Sequence, residues 1–172
     1  MIAHHTNPQI KIVRSRRNPL DIILSHQKWR LLNLNGFKNR AHGYAHCSSN
    51  NTACINTHKK YGTNIHLTPE TILDKLRTMI MVEERVDRNL EDLNVPHIKV
   101  SYEKLYHSND AEEWMRIFRF LERGPGSNLS KKKLEEAMEH GGTGIPSHNV
   151  SISNYKEIWN TLMGTELEHL LH

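Results

Sequence analysis

Three arginines, Arg14, Arg16 and Arg17, fall within four positions, and Asn18, Pro19 and Asp21 follow them at once. A guanidinium offers a rigid fork of donors suited to a phosphate or carboxylate. Ser25 stands eight positions after Arg17. On a helix that begins at Asn18, the residues Asn18, Asp21 and Ser25 share one face. Arg17 at the helix entrance and the Ser25 hydroxyl two turns along are then placed to close on one phosphate. The backbone N–H groups and the dipole of the helix N-terminus favour an anion there as well. The same residues also suit a plain strand-to-helix turn with surface arginines, because helix N-termini follow strands in many folds. Spacing leaves both readings open.

The elements that must position these residues follow from patterning. Ile12 and Val13 are β-branched and predict a short strand over residues 10–14. Asn18 is a good N-cap, Pro19 suits the first helical position, and Asp21 complements the dipole. A helix is predicted over 19–34, carrying Leu20, Ile23, Leu24, Trp29, Leu31 and Leu32 and ending near Asn35 and Gly36. Residues 35–66 read as a long polar loop. The clearest helix spans 68–93, capped by Thr68 and Pro69. Ile72, Leu73, Leu76, Met79, Ile80, Val86, Leu90 and Leu93 form its apolar stripe, with Glu83 and Glu84 on a solvated face. Asn94-Val95-Pro96 ends it. Ile98, Val100 and Tyr102 then alternate with polar residues as a strand.

Asp110 and Glu113 form a capping box for a helix buried through Trp114, Ile117, Phe118 and Leu121, stopped at Arg123-Gly124-Pro125-Gly126. Ser130 caps a short basic helix to His140, residues 141–153 read as a loop, and Asn154 with Glu157 makes another capping box. Tyr155, Ile158, Trp159 and Leu162 lead from it to Gly164. Thr165 caps a terminal turn with Leu167, Leu170 and Leu171. Strands alternating with helices give an α/β class, with few parallel strands and a mostly helical remainder.

The chain has 172 residues, 37% of them hydrophobic and 24% charged, which suits one modest globular domain spanning residues 1–172. A net charge of +4 favours an anionic ligand but gives no basic stripe interleaved with aromatics, so no nucleic acid partner is expected. No run of residues has the length of a transmembrane helix, and no signal peptide is visible. His42, His46, Cys47, Cys54 and His58 are metal-ligand types. Their spacing matches no standard zinc pattern across the set, so no metal is expected. Cys47 and Cys54 suit a small disulfide loop in an oxidising compartment.

Arg17-Asn18-Pro19-Leu20-Asp21-Ile22-Ile23-Leu24-Ser25 resembles the 3′-phosphate-binding motif of the sulfotransferases. Those enzymes take a sulfuryl group from 3′-phosphoadenosine 5′-phosphosulfate (PAPS). Two further blocks follow in the family's order. Val100-Ser101-Tyr102-Glu103-Lys104-Leu105, then Arg119-Phe120-Leu121, is similar to the family's strand end and following helix. Ile152-Ser153-Asn154-Tyr155 through Leu162-Met163-Gly164-Thr165 is similar to its C-terminal end. The resemblance implies a partial P-loop-NTPase-like sulfotransferase fold. It also implies PAPS as co-substrate, Arg17 and Ser25 on the 3′-phosphate and Tyr102 against the adenine. The acceptor would be a hydroxyl or amine, a carbohydrate among the options. Tyr102 equally suits packing of the strand against a helix.

The family's Gly- and Lys-containing loop over the 5′-phosphosulfate has no counterpart here, nor has its general base. The chain is therefore expected to be a fragment that holds half of a donor site and is inactive alone. No catalytic residue is assigned. A non-catalytic nucleotide-phosphate-binding or interaction remnant of the same fold is the alternative. A Golgi location would follow if the full gene carries a signal anchor, and a cytoplasmic one otherwise.

Overall fold

A computed structural model of the protein describes residues 10–34, 52, 56, 64–106, 108, 110–121 and 148–171. The predicted loop with its His and Cys residues, apart from the positions named, and the predicted basic helix after Ser130 lie outside these residues. Among the described residues the fold is α/β and mostly helical, with a two-stranded parallel sheet. The chain divides into two compact units. One takes residues 1–17 and 82–144, the other residues 18–81 and 145–172.

In the first unit β1 (Ile12–Arg16) pairs in parallel with β2 (His97–Ser101), with Val13 beside Ile98 and Arg14 beside Lys99. The strand predicted at 10–14 thus sits two residues later. Side chains alternate across a strand, so the two faces differ in chemistry. Val13, Ile98 and Val100 meet Leu105, Trp114, Ile117 and Leu121 in a small apolar core. Two helices, α3 (Tyr102–Tyr106) and α4 (Ala111–Phe120), supply Leu105, Trp114 and Ile117, and Leu121 is the C-cap of α4. Tyr102, predicted to close the strand, instead opens α3. The opposite face presents Arg14, Arg16 and Lys99.

That basic face explains a correction in α2 (Pro69–Asp92). The apolar stripe does not run the full helix. Ile72, Leu73, Leu76, Met79 and Ile80 belong to the core of the second unit, but Val86 and Leu93 are exposed. Ile72, Leu76, Met79, Glu83 and Asp87 fall on one helical face. In the last two turns the carboxylates take over the inward positions. Glu83, predicted on a solvated face, is half-buried and bonds Arg14. The helix stops where expected, and for a clear reason. Asn94 adopts φ 50°, its N–H bonds the Glu91 carbonyl at 2.9 Å, and the Val95 N–H bonds Leu90 at 2.9 Å. This is the paired closure of a Schellman motif, and asparagine is the side chain that best tolerates its left-handed position after glycine.

The second unit holds α1 (Pro19–Leu34), the first half of α2, α5 (His148–Ser151), α6 (Tyr155–Leu162) and a 3₁₀ turn, Glu168–Leu171. Leu20, Leu76, Ile158 and Leu162 are fully buried together. Trp29, one of the apolar residues carried by α1, is 57% exposed. α5 lies within the predicted loop 141–153. Gly164, at φ 73°, lets the chain turn from α6 into the terminal segment, and the Thr165 hydroxyl accepts from the Leu167 N–H at 3.1 Å. Removing a fully buried branched side chain leaves a cavity. Ile158→Ala is therefore expected to lower unfolding stability by about 3 kcal/mol, read as a lower urea midpoint at unchanged slope.

Neither predicted capping box closes as a reciprocal pair, and longer-range bonds take one member of each. Asn154 makes no side-chain cap bond. Its carboxamide instead accepts from the Leu67 N–H at 3.1 Å and donates to the Leu67 carbonyl at 2.7 Å. It thereby extends a short parallel pairing in which Ile65 meets Ile152. Asp110 does cap α4, accepting from the Glu112 N–H at 3.0 Å. Glu113, however, is buried and accepts from the Ser101 N–H at 3.0 Å and from Arg116. It ties the end of β2 to α4.

Candidate functional site

The N-cap read from sequence is present. The Asn18 side-chain oxygen accepts from the Leu20 N–H at 2.9 Å, and the Asn18 carbonyl accepts the first helical bond from Ile22 at 3.1 Å. The Asn18 amide nitrogen donates to the Leu170 carbonyl at 2.9 Å, so the start of α1 is also fastened to the terminal 3₁₀ turn. Asp21 is buried in the first turn. Its partner is His148, whose Nε2 lies 2.7 Å from the Asp21 carboxylate while Nδ1 lies 3.3 Å from the Leu171 carbonyl. Both neighbours only accept, so both ring nitrogens must donate for both bonds to form. That condition is the imidazolium. The carboxylate hydrogen bond accordingly holds the His148 pKa above its usual value. No local pattern marks His148. It stands 127 positions from Asp21 and becomes a partner only through the fold.

The three arginines do not share one fate. Arg14 pairs with both Glu83 and Asp87, and its guanidinium also donates to the Glu83 carbonyl at 3.3 Å. Arg16 pairs with Asp87. Lys99 reaches the same carboxylate at 2.7 Å. Asp87 is buried, so three cations converge on one desolvated carboxylate, with Glu83 as the second anion on Arg14. The sequence reading missed Asp87. The only signal for it was its position on the α2 stripe, four residues after Glu83.

Arg17 lies apart from this cluster. Its guanidinium carbon stands 4.7 Å from the centroid of the Tyr102 ring, a cation–π contact worth about 1 kcal/mol. Among the described residues no carboxylate pairs with Arg17, and its buried Nε has no hydrogen-bond partner. The Tyr102 ring is the start of an aromatic column. Tyr106 lies 4.7 Å from it, Trp114 meets Tyr106 edge-on at 5.8 Å, and Phe118 stacks on Trp114 at 6.4 Å. The two residues come from the C-terminal ends of adjacent parallel strands, the end at which open α/β sheets take ligands.

Arg17 and Tyr102 are thus brought together within the first unit. Ser25 belongs to the second unit, half-buried on α1 one turn beyond Asp21. Among the described residues no group of three or more His, Cys, Asp and Glu side chains is placed to hold a metal ion, and no helix is long and apolar enough to cross a membrane. Comparison with family models, with curated proteins and with solved structures finds no match.

Proposed function

We propose that the chain carries the 3′-phosphate and adenine contacts of a PAPS-dependent sulfotransferase with a P-loop-like core. The observation that carries this reading is the Arg17–Tyr102 contact at the strand ends. It sets a guanidinium that pairs with no carboxylate among the described residues beside the aromatic that the family resemblance assigns to the base. Arg17 is the phosphate ligand. The part of Ser25 in holding the phosphate is what the resemblance alone implies. With a guanidinium already over the Tyr102 ring, the base meets the rest of that side chain rather than the same face.

In the whole reaction the bond between sulfur and the bridging oxygen of the 5′-phosphate breaks. A bond from sulfur to the acceptor oxygen or nitrogen forms, and the acceptor loses a proton. The described residues bind and orient the donor, which is the part of such catalysis that comes from positioning. None of them is assigned to the sulfuryl step. The acceptor is a hydroxyl or an amine.

A second reading is a non-catalytic nucleotide-phosphate-binding remnant. One observation favours it: Arg14 and Arg16 are already paired with the protein's own carboxylates, which leaves a seat for one phosphate. Both readings predict binding of adenosine 3′,5′-bisphosphate and no turnover of PAPS by this chain alone; only the first predicts turnover once a phosphosulfate loop and a general base are supplied. At a hundredfold excess over its dissociation constant the bisphosphate should add about 2.7 kcal/mol of stability, a rise of about 5–10 °C in melting temperature for a chain of this size. Adenosine 5′-monophosphate should give a much smaller rise. Equal shifts, or none, would contradict a 3′-phosphate seat.

A further inference from the structure

We propose that Asp87 is the residue that makes the basic turn selective for a lone phosphate over a polyphosphate, a role that rests on the donor-site reading. Three observations in the first unit carry it. Arg14, Arg16 and Lys99 line one face of the β1–β2 pair and all reach the Asp87 carboxylate. The Arg16 and Lys99 side chains nonetheless stay 41% and 40% exposed, so an anion in solution can reach them. Arg17, the next residue, has no such carboxylate among the described residues and is held on Tyr102.

The chemistry is one of competition. A guanidinium or ammonium already bonded to a buried carboxylate gains little from an external phosphate, because binding would strand that carboxylate without partners. Asp87 therefore masks Arg16 and Lys99, and Arg17 alone is left for a phosphomonoester. Without the Asp87 charge, Arg16 and Lys99 become free cations, Arg16 next to Arg17 in the chain. A run of linked phosphates would then span the whole turn. Asp87 is a positioning residue in this account. It touches no ligand and acts through the cations it holds.

Asp87→Asn keeps the shape of the side chain and removes its charge. Arg14 retains Glu83, so no buried guanidinium is stranded, and Arg16 and Lys99 are exposed enough to be hydrated. The test is calorimetric titration of the whole chain with inorganic tripolyphosphate over a series of salt concentrations. Asp87→Asn should bind it about tenfold tighter than the native chain, the order expected on removing one unit charge from a partly buried cluster. Its salt dependence should be steeper, and adding Arg16→Gln and Lys99→Gln should undo the gain. A merely structural role for Asp87 would weaken binding or leave it alone, so no gain in a folded Asp87→Asn overturns the proposal.

A second variant covers loss of folding. Arg16→Gln alone should leave the adenosine 3′,5′-bisphosphate shift unchanged, since Arg16 is committed to Asp87, and loss of that shift would overturn the masking role. If the native chain shows no bisphosphate shift, the donor-site reading fails by itself. The tripolyphosphate comparison still decides whether Asp87 masks the basic turn.

Discussion

Arg17→Ala is expected to remove half or more of the rise in melting temperature that adenosine 3′,5′-bisphosphate gives the intact chain, while the unliganded protein melts within a few degrees of the native one. The size of the effect follows from there being one seat. Arg14, Arg16 and Lys99 are held by Glu83 and Asp87, so none of these three cations substitutes for the lost guanidinium. A charge-assisted contact to phosphate contributes about 1.5–3 kcal/mol, a loss of about ten- to a hundredfold in affinity. Arg17→Lys should recover only part of it. An ammonium keeps the charge but lacks the planar fork that binds two phosphate oxygens and lies flat on Tyr102. The cost to folding is small because the Tyr102 contact alone is worth about 1 kcal/mol. An unchanged bisphosphate shift in Arg17→Ala would place the phosphate elsewhere.

His148→Ala should destabilise the protein by about 3 kcal/mol at pH 6, because it leaves the Asp21 carboxylate buried and alone in the first turn of α1. The effect depends on pH with a definite sign. The Asp21 bond raises the pKa of His148 in the folded state. Between the ordinary value and the raised one, the folded chain holds a proton that the unfolded chain has released, so stability falls as pH rises. The contribution is complete below about pH 6.5, the unfolded value, and is lost as pH climbs through the folded value. Urea titrations of the native chain and His148→Ala from pH 5.5 to 9 should show the gap between them narrowing toward alkaline pH. It does not close, since a neutral imidazole can still give one bond to Asp21. A gap that stays constant, or widens with pH, would mean that His148 is not held as the cation.

These two residues mark the border of what the sequence revealed. Local rules located β1, α1, α2, β2, α4 and α6 to within about two residues, because a strand of β-branched residues, an Asn-Pro start and an Asn-Val-Pro stop act within one or two turns. They also put Arg17 at the end of a strand and Tyr102 at the end of the next. Partners distant in sequence were not legible. Asn154 and Glu113 carry the spacing of capping boxes, yet Asn154 is drawn off by the Leu67 backbone and Glu113 by Ser101 and Arg116. The last turns of α2 look like a solvated acidic face because Glu83 and Asp87 are charged. They turn inward because the sheet face they meet carries Arg14, Arg16 and Lys99. A charge pattern gives no sign of burial until its counter-charges are placed. His148 and Asp21 are the same case at longer range.

The most direct test of the phosphate seat is a phosphorus NMR titration of adenosine 3′,5′-bisphosphate with the native chain and with Arg17→Ala. With the native chain the 3′-phosphate resonance should move and broaden more than the 5′-phosphate resonance, and with Arg17→Ala it should stay at its free position. A 3′-phosphate signal that ignores the native chain, or responds equally to Arg17→Ala, would contradict a seat built on Arg17.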